Sequence, residues 1–100
     1  MVGFLEKMFA GEEYGEASRD DREAAALLIE GVGGAENVAK VWNCFTRLRF
    51  NLKDTSLIQE EILRRVPSSG MIQHGKTVQV VFGMRVKLMR KVVDDYMASF

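Results

Sequence analysis

One hundred residues suit one compact domain, and 47% hydrophobic against 28% charged residues is the balance of an ordinary soluble globule. Lys plus Arg equals Asp plus Glu at 14 each, so a general nucleic-acid or membrane-surface binder is disfavoured and any basic site must be local. The single Cys excludes an internal disulfide and suits a reducing compartment, and with the single His it cannot supply the four ligands of a structural zinc site.

Residues 1–20 read as a lead-in or linker, with the domain proper expected over 21–100. Phe4, Leu5, Met8 and Phe9 stand among Glu6 and Lys7, without the basic region and apolar core of a secretory leader. The stretch 10–20 is small, polar and acidic. Asp20 or Asp21 is expected to cap a helix through Ala24, Leu27, Leu28 and Val32. Gly31, Gly33 and Gly34 read as its stop and turn; they lack the G-x-x-x-x-G-K pattern of a phosphate loop. No apolar run approaches the roughly 20 residues that span a bilayer.

Val38 to Asn43 reads as a strand. Thr46 to Lys53 alternates, with Leu48, Phe50 and Leu52 on one face and Arg47, Arg49, Asn51 and Lys53 on the other, the period of a half-buried strand. The two lie too close for a crossover, so they form an antiparallel hairpin with Cys44 at or beside its tip. Ser56 and Gln59 resemble a capping box for a helix over Leu57 to Val66, stopped by Pro67. Met71 to Gln73 and Thr77 to Phe82 predict a second hairpin across His74, Gly75 and Lys76. After Gly83, Val86, Met89, Val93 and Met97 recur at helical spacing. The order α-β-β-α-β-β-α predicts an α+β fold, a four-stranded antiparallel sheet with three helices packed on one face.

The chemistry concentrates in Asn43-Cys44-Phe45-Thr46-Arg47-Leu48-Arg49-Phe50. The thiolate is the reactive form of Cys, and nearby Arg charge favours it. A tight turn aims successive backbone N–H groups at one point. Arg47 and Arg49, two apart on a strand, share a face, and guanidinium groups pair with phosphate in bidentate fashion. Thr46 adds a hydroxyl donor. Such a set holds a dianionic group on sulfur without a metal or other cofactor. Against it stands the ordinary fate of a lone Cys, an inert buried residue, and of two Arg on a solvated strand face.

The same stretch resembles the C-x-T-R-L-R-[FLV] motif of the IIB domain (EIIB) of glucose/sucrose-type sugar phosphotransferase systems. Gly33-Gly34-Ala35-Glu36-Asn37-Val38 is similar to the family's GGxEN-I/V segment, Leu52-Lys53-Asp54 to the end of its second strand, and Gln79-Val80-Val81-Phe82-Gly83 to its Q-V-I-F-G segment. The likeness covers about residues 21 to 97. It implies a cytoplasmic phosphoryl carrier at the inner face of the bacterial membrane. Such a domain takes phosphate from a phosphohistidine of a IIA domain, carries it as phosphocysteine and passes it to sugar bound by the IIC membrane permease. On matching positions, Cys44 would be the phosphorylated residue and Arg47 and Arg49 would contact phosphate or the docked partner. Backbone N–H groups around Phe45 to Arg47, with Thr46 between them, would cradle the phosphoryl oxygens. Phe45 is bulkier than the family's usual residue there, and Val66 to Gly70 replaces a glycine-rich lead into the third strand.

Other residues read more plainly. His74 is expected to be an exposed turn residue rather than a second carrier. Trp42 is expected in core or edge packing, Met84, Met89 and Met97 in helix packing, and Asp94 and Asp95 on a solvated surface. Two other functions compete: a non-catalytic docking module of the same fold, and a small RNA-binding domain. Zero net charge and the lack of paired aromatics on one strand weigh against a nucleic-acid partner.

Overall fold

The computed structural model describes residues 17–100. The lead-in reading therefore falls, over 1–16, outside the described residues. The first helix, α1 (Arg19–Gly31), begins earlier than expected. Its N-cap is Ser18, not Asp20 or Asp21: Ser18 Oγ accepts from Asp21 N–H at 3.1 Å, and Ser18 N–H donates to the Asp21 carboxylate at 3.0 Å. The two are three positions apart, the spacing that lets each side chain reach the other's backbone. Asp21 is buried and also pairs with Arg85, just ahead of the last helix. Burial pushes the Asp21 carboxyl up, but the hydrogen bonds from Ser18 and Arg85 outweigh it and hold the group below the usual carboxylate range.

Four strands follow, β1 (Val38–Asn43), β2 (Arg47–Leu52), β3 (Gly70–His74) and β4 (Thr77–Val81). They form one antiparallel sheet in the order β1-β2-β4-β3. A short helix α2 (Glu60–Leu63) joins the hairpins, and α3 (Val86–Ala98) closes the fold. Alternation puts Leu48, Phe50, Leu52, Val78 and Val80 on the inner face, where they meet Leu28, Ile29 and Val32 from α1 and its end, and Val86, Met89 and Val93 from α3. Each such side chain contributes about 1.5–3 kcal/mol by leaving water. The expected α+β architecture, its element order and its one-sided helix layer are all present.

The middle helix is shorter than expected. Ser56 does not cap it, because its hydroxyl is spent as a donor to Asp54 (2.6 Å), which itself caps a 3-10 turn over Thr55–Leu57. Gln59 turns its side chain to the Glu30 carbonyl at 3.3 Å and its backbone N–H to Gly31 at 2.7 Å. Met84 is not helix packing: it lies in the 3-10 turn Gly83–Arg85 and is 93% exposed. Met89 is buried and Met97 packs against the core, as expected. Trp42 stands on edge strand β1, half-buried, with the Lys40 ammonium 5.3 Å from its ring centre, so its packing is at the edge and not in the core. His74 is exposed at the end of β3.

At the base of the first hairpin Asn37 is buried. Its Nδ2 donates to the Val32 carbonyl (2.7 Å) and the Asp54 carbonyl (2.8 Å), and its Oδ1 accepts from Asp54 N–H (2.9 Å). One side chain thus ties the end of α1 to the exit of β2. Gly33 makes room for it: its φ is +105°, and a Cβ there would stand 2.7 Å from Asn37 Nδ2 and 2.8 Å from Leu57 Cβ.

Candidate functional site

Cys44 occupies the turn at the other end of the β1–β2 hairpin. The last ladder pair is Asn43 with Leu48. Cys44 N–H then donates to the Arg47 carbonyl at 3.0 Å, leaving Phe45 and Thr46 at the tip. The Thr46 carbonyl accepts from Phe82 and Gly83 N–H at 2.9 and 3.1 Å. That corner requires the positive φ of Gly83, +65°. The Cys44 carbonyl accepts from Asn43 Nδ2 at 3.0 Å.

The Cys44 thiol itself donates to the Arg47 carbonyl at 3.8 Å. The backbone N–H of Thr46, and after it that of Arg47, hold the Cys44 thiol below its ordinary range. Partial burial pushes the other way. The Arg49 guanidinium adds to the lowering, its Nη2 standing 3.9 Å from Sγ. Arg49 Nε is buried and has no hydrogen-bond partner among the described residues. A part-buried guanidinium with one unmet donor beside a thiol is a cationic group with capacity to spare for an anion.

The structure brings Cys44, Thr46, Arg47 and Arg49 to one side of the hairpin tip, though not all side chains reach the sulfur. Arg47 is held from the neighbouring strand, its Nη1 donating to Gln79 Oε1 at 3.2 Å. Thr46 contributes its backbone, its hydroxyl making no hydrogen bond among the described residues. Phe45 is 94% exposed beside Cys44. Phe45, Met84 and Lys87 rim a cavity of about 520 Å³ that has Cys44 in its wall. A second cavity, about 440 Å³ between α2 and β3, shares no lining residue with it. Among the described residues no group of three or more His, Cys, Asp or Glu is placed to hold a metal ion, and no helix is long and apolar enough to cross a membrane.

Sequence reasoning left five contributors without a role. Gln79 was visible only as part of a motif, and Asn43 only as a neighbour of the Cys. Arg90, on α3, donates to Asn43 Oδ1 at 3.0 Å across 47 residues of chain. The Phe82 and Gly83 amides act through backbone, which leaves no side-chain signal.

The family model described as phosphotransferase system, EIIB, matches residues 26–59, which include the whole of the Cys44 turn. The PTS system maltose-specific EIICB component of Bacillus subtilis (strain 168) is 34% identical over 98 residues, covering 88% of this chain and 19% of the relative. The chain belongs to the phosphotransferase system EIIB family. A further relative of this EIIB domain is the phosphotransferase enzyme IIB component GlvB of Escherichia coli (strain K12). It is 28% identical over 94 residues, covering 93% of this chain and 58% of that protein. The EIIB domain thus spans about a fifth of the first relative and just over half of the second. Its fold is shared with the crystal structure of one domain of the PTS system, IIabc component from Clostridium difficile. The TM-score is 0.65 at 23% identity, over 80% of this chain and 86% of that one.

Proposed function

We propose that this EIIB domain carries phosphate on Cys44 within a sugar-transporting phosphotransferase system. The observation that supports this most directly is the Arg49 guanidinium, whose Nη2 stands 3.9 Å from a part-exposed sulfur at the hairpin tip, with the thiol held below its ordinary range. Lowering the thiol pKa raises the fraction present as thiolate, the nucleophilic form. The thiolate attacks the phosphorus of a phosphohistidine on a IIA partner. The P–N bond breaks, the P–S bond forms, and the histidine keeps its electron pair. In the second half a sugar hydroxyl oxygen attacks the same phosphorus, the P–S bond breaks and the thiolate returns. The hydroxyl proton passes to a base outside this domain, in the IIC permease that holds the sugar. Such transfers depend on positioning and on neutralising the equatorial oxygens. The free amides, Arg49 and the unspent end of Arg47 supply those donors, so the reaction needs no metal from this chain.

Both partners must approach the same sulfur, and the exposed Phe45 and Met84 beside Lys87 provide the apolar centre and cationic edge of a docking surface. The domain works on the cytoplasmic side of the membrane in this reading, where phosphorylated IIA is found. The test is intact-mass measurement after incubation with the general phosphotransferase proteins, a phosphorylated IIA domain and phosphoenolpyruvate. One phosphate adduct, absent from Cys44→Ser, is the expected result. An adduct that survives Cys44→Ser moves the chemistry to another residue. No adduct with several IIA partners leaves a docking module of the same fold.

A further inference from the structure

The hairpin tip departs from a regular ladder at one bond. A tight antiparallel turn closes with a pair of reciprocal hydrogen bonds, N–H to carbonyl in each direction. Here Cys44 N–H donates to the Arg47 carbonyl. The return bond would take the Arg47 N–H to the Cys44 carbonyl. Instead that carbonyl accepts from Asn43 Nδ2 at 3.0 Å, and the Cys44 sulfur lies 3.8 Å from the Arg47 carbonyl oxygen and 3.9 Å from Arg49 Nη2. Asn43 is itself held from behind. Arg90 Nη1 donates to its Oδ1 at 3.0 Å, and Arg90 Nε donates to Asp94 Oδ2 at 3.2 Å. Bonding Oδ1 to a fixed guanidinium sets which end of the Asn43 amide faces the turn: the NH₂ end must point to the carbonyl.

From this connection we infer that Arg90 and Asn43 are positioning residues for Cys44: Arg90 on α3 orients the Asn43 side chain, which holds the Cys44 carbonyl and so fixes the backbone that carries the sulfur beside Arg49. The inference deepens the carrier reading and rests on it for its biological purpose, while its geometry stands alone. Asp94, expected on a merely solvated surface, becomes the far anchor of the relay. The effect on sulfur travels through hydrogen-bonded groups. The charges that face or flank the thiol are Arg49 and Arg47 from β2 and Lys87 from α3, with Arg90 behind Asn43. Arg90 touches Asn43 and not the sulfur, so removing Arg90 alters the thiol only by releasing the side chain in between.

A double-mutant cycle on thiol titration tests this. The rate of Cys44 alkylation by iodoacetamide is measured against pH in the wild-type chain, Asn43→Ala, Arg90→Met and the double variant, with folding checked by circular dichroism. Both single variants are expected to react about threefold or more slowly near neutral pH and to match wild type once every thiol is ionised. The double variant is expected to be no slower than Asn43→Ala. Arg90→Gln replaces Arg90→Met if the latter does not fold. Single-variant profiles that coincide with wild type overturn the inference. So does a further slowing by Arg90→Met in the Asn43→Ala background, which would mean that Arg90 acts on the thiol by charge alone. No partner protein enters the measurement, so this inference and the carrier reading fail separately.

Discussion

The two ends of the β1–β2 hairpin use the same kind of group for opposite purposes. At the base, the Asn37 amide is buried and every bond it makes goes to backbone: two carbonyls and one N–H are satisfied at once. At the tip, the Asn43 amide satisfies one carbonyl, beside a part-exposed sulfur that has Arg49 Nη2 at 3.9 Å. A closed polar network specifies structure, because an unmet buried group costs free energy. An open one, at the surface, keeps donors for a ligand. Both ends fall in segments that resemble family motifs; the motif at the base marks a clasp, and the motif at the tip carries the chemistry proposed above.

The sharpest way to break this comparison is Cys44→Ser, for which mass spectrometry is expected to show complete loss of the phosphate adduct while the thermal midpoint is retained. Arg49→Met comes next. It is expected to slow phosphate acceptance about 30-fold, because a charge-assisted donor is lost where charge gathers in the transition state. Stopped quench assays with phosphorylated IIA read that rate, and an unchanged rate would remove Arg49 from the site.

At the base the sign reverses. Asn37→Ala is expected to cost about 3 kcal/mol in urea unfolding, since it strands three backbone groups. Phosphate acceptance should persist wherever the variant is folded. A variant that unfolds like wild type would mean that water replaces the clasp. Gly33→Ala should cost about 2 kcal/mol, because it combines a strained φ with an overlap on Asn37 and Leu57. Crossing it with Asn37→Ala sharpens the test, since relief of the overlap makes the two less than additive.

Asp21→Asn gives the smallest effect, about 1 kcal/mol at neutral pH. The folded-state pKa of Asp21 lies below its ordinary value, even though burial alone would raise it. Its contribution is therefore present above the unfolded carboxylate range and is lost as pH falls through the folded pKa. Wild type and variant should converge in stability on acidification, and a gap that persists in acid would assign the effect to packing.

Periodicity and spacing carried the four strands, the first and last helices, the two hairpins and the one-sided core, because alternation at Leu48, Phe50 and Leu52 or recurrence at Val86, Met89 and Val93 is written locally. The Cys44 turn and its two Arg neighbours were legible for the same reason: residues two apart on a strand share a face whatever surrounds them. Local reading failed where a side chain had two possible partners. Ser56 bonded Asp54 in place of capping a helix, Ser18 took the cap from the Asp residues, and Met84 turned outward at the Gly83 corner.

By itself, then, the sequence determined which residues would lie together along one strand or one turn, and with them the Cys44 turn and its neighbouring Arg residues. Only the tertiary structure decided how that turn and its side chains are held. That depended on the Thr46 carbonyl meeting Phe82 and Gly83, on Gln79 holding Arg47, and on Arg90 reaching Asn43. Each of those bonds joins groups more than 30 residues apart in the chain, and hydrogen bonds between distant segments exist only once the core has packed the helices onto the sheet.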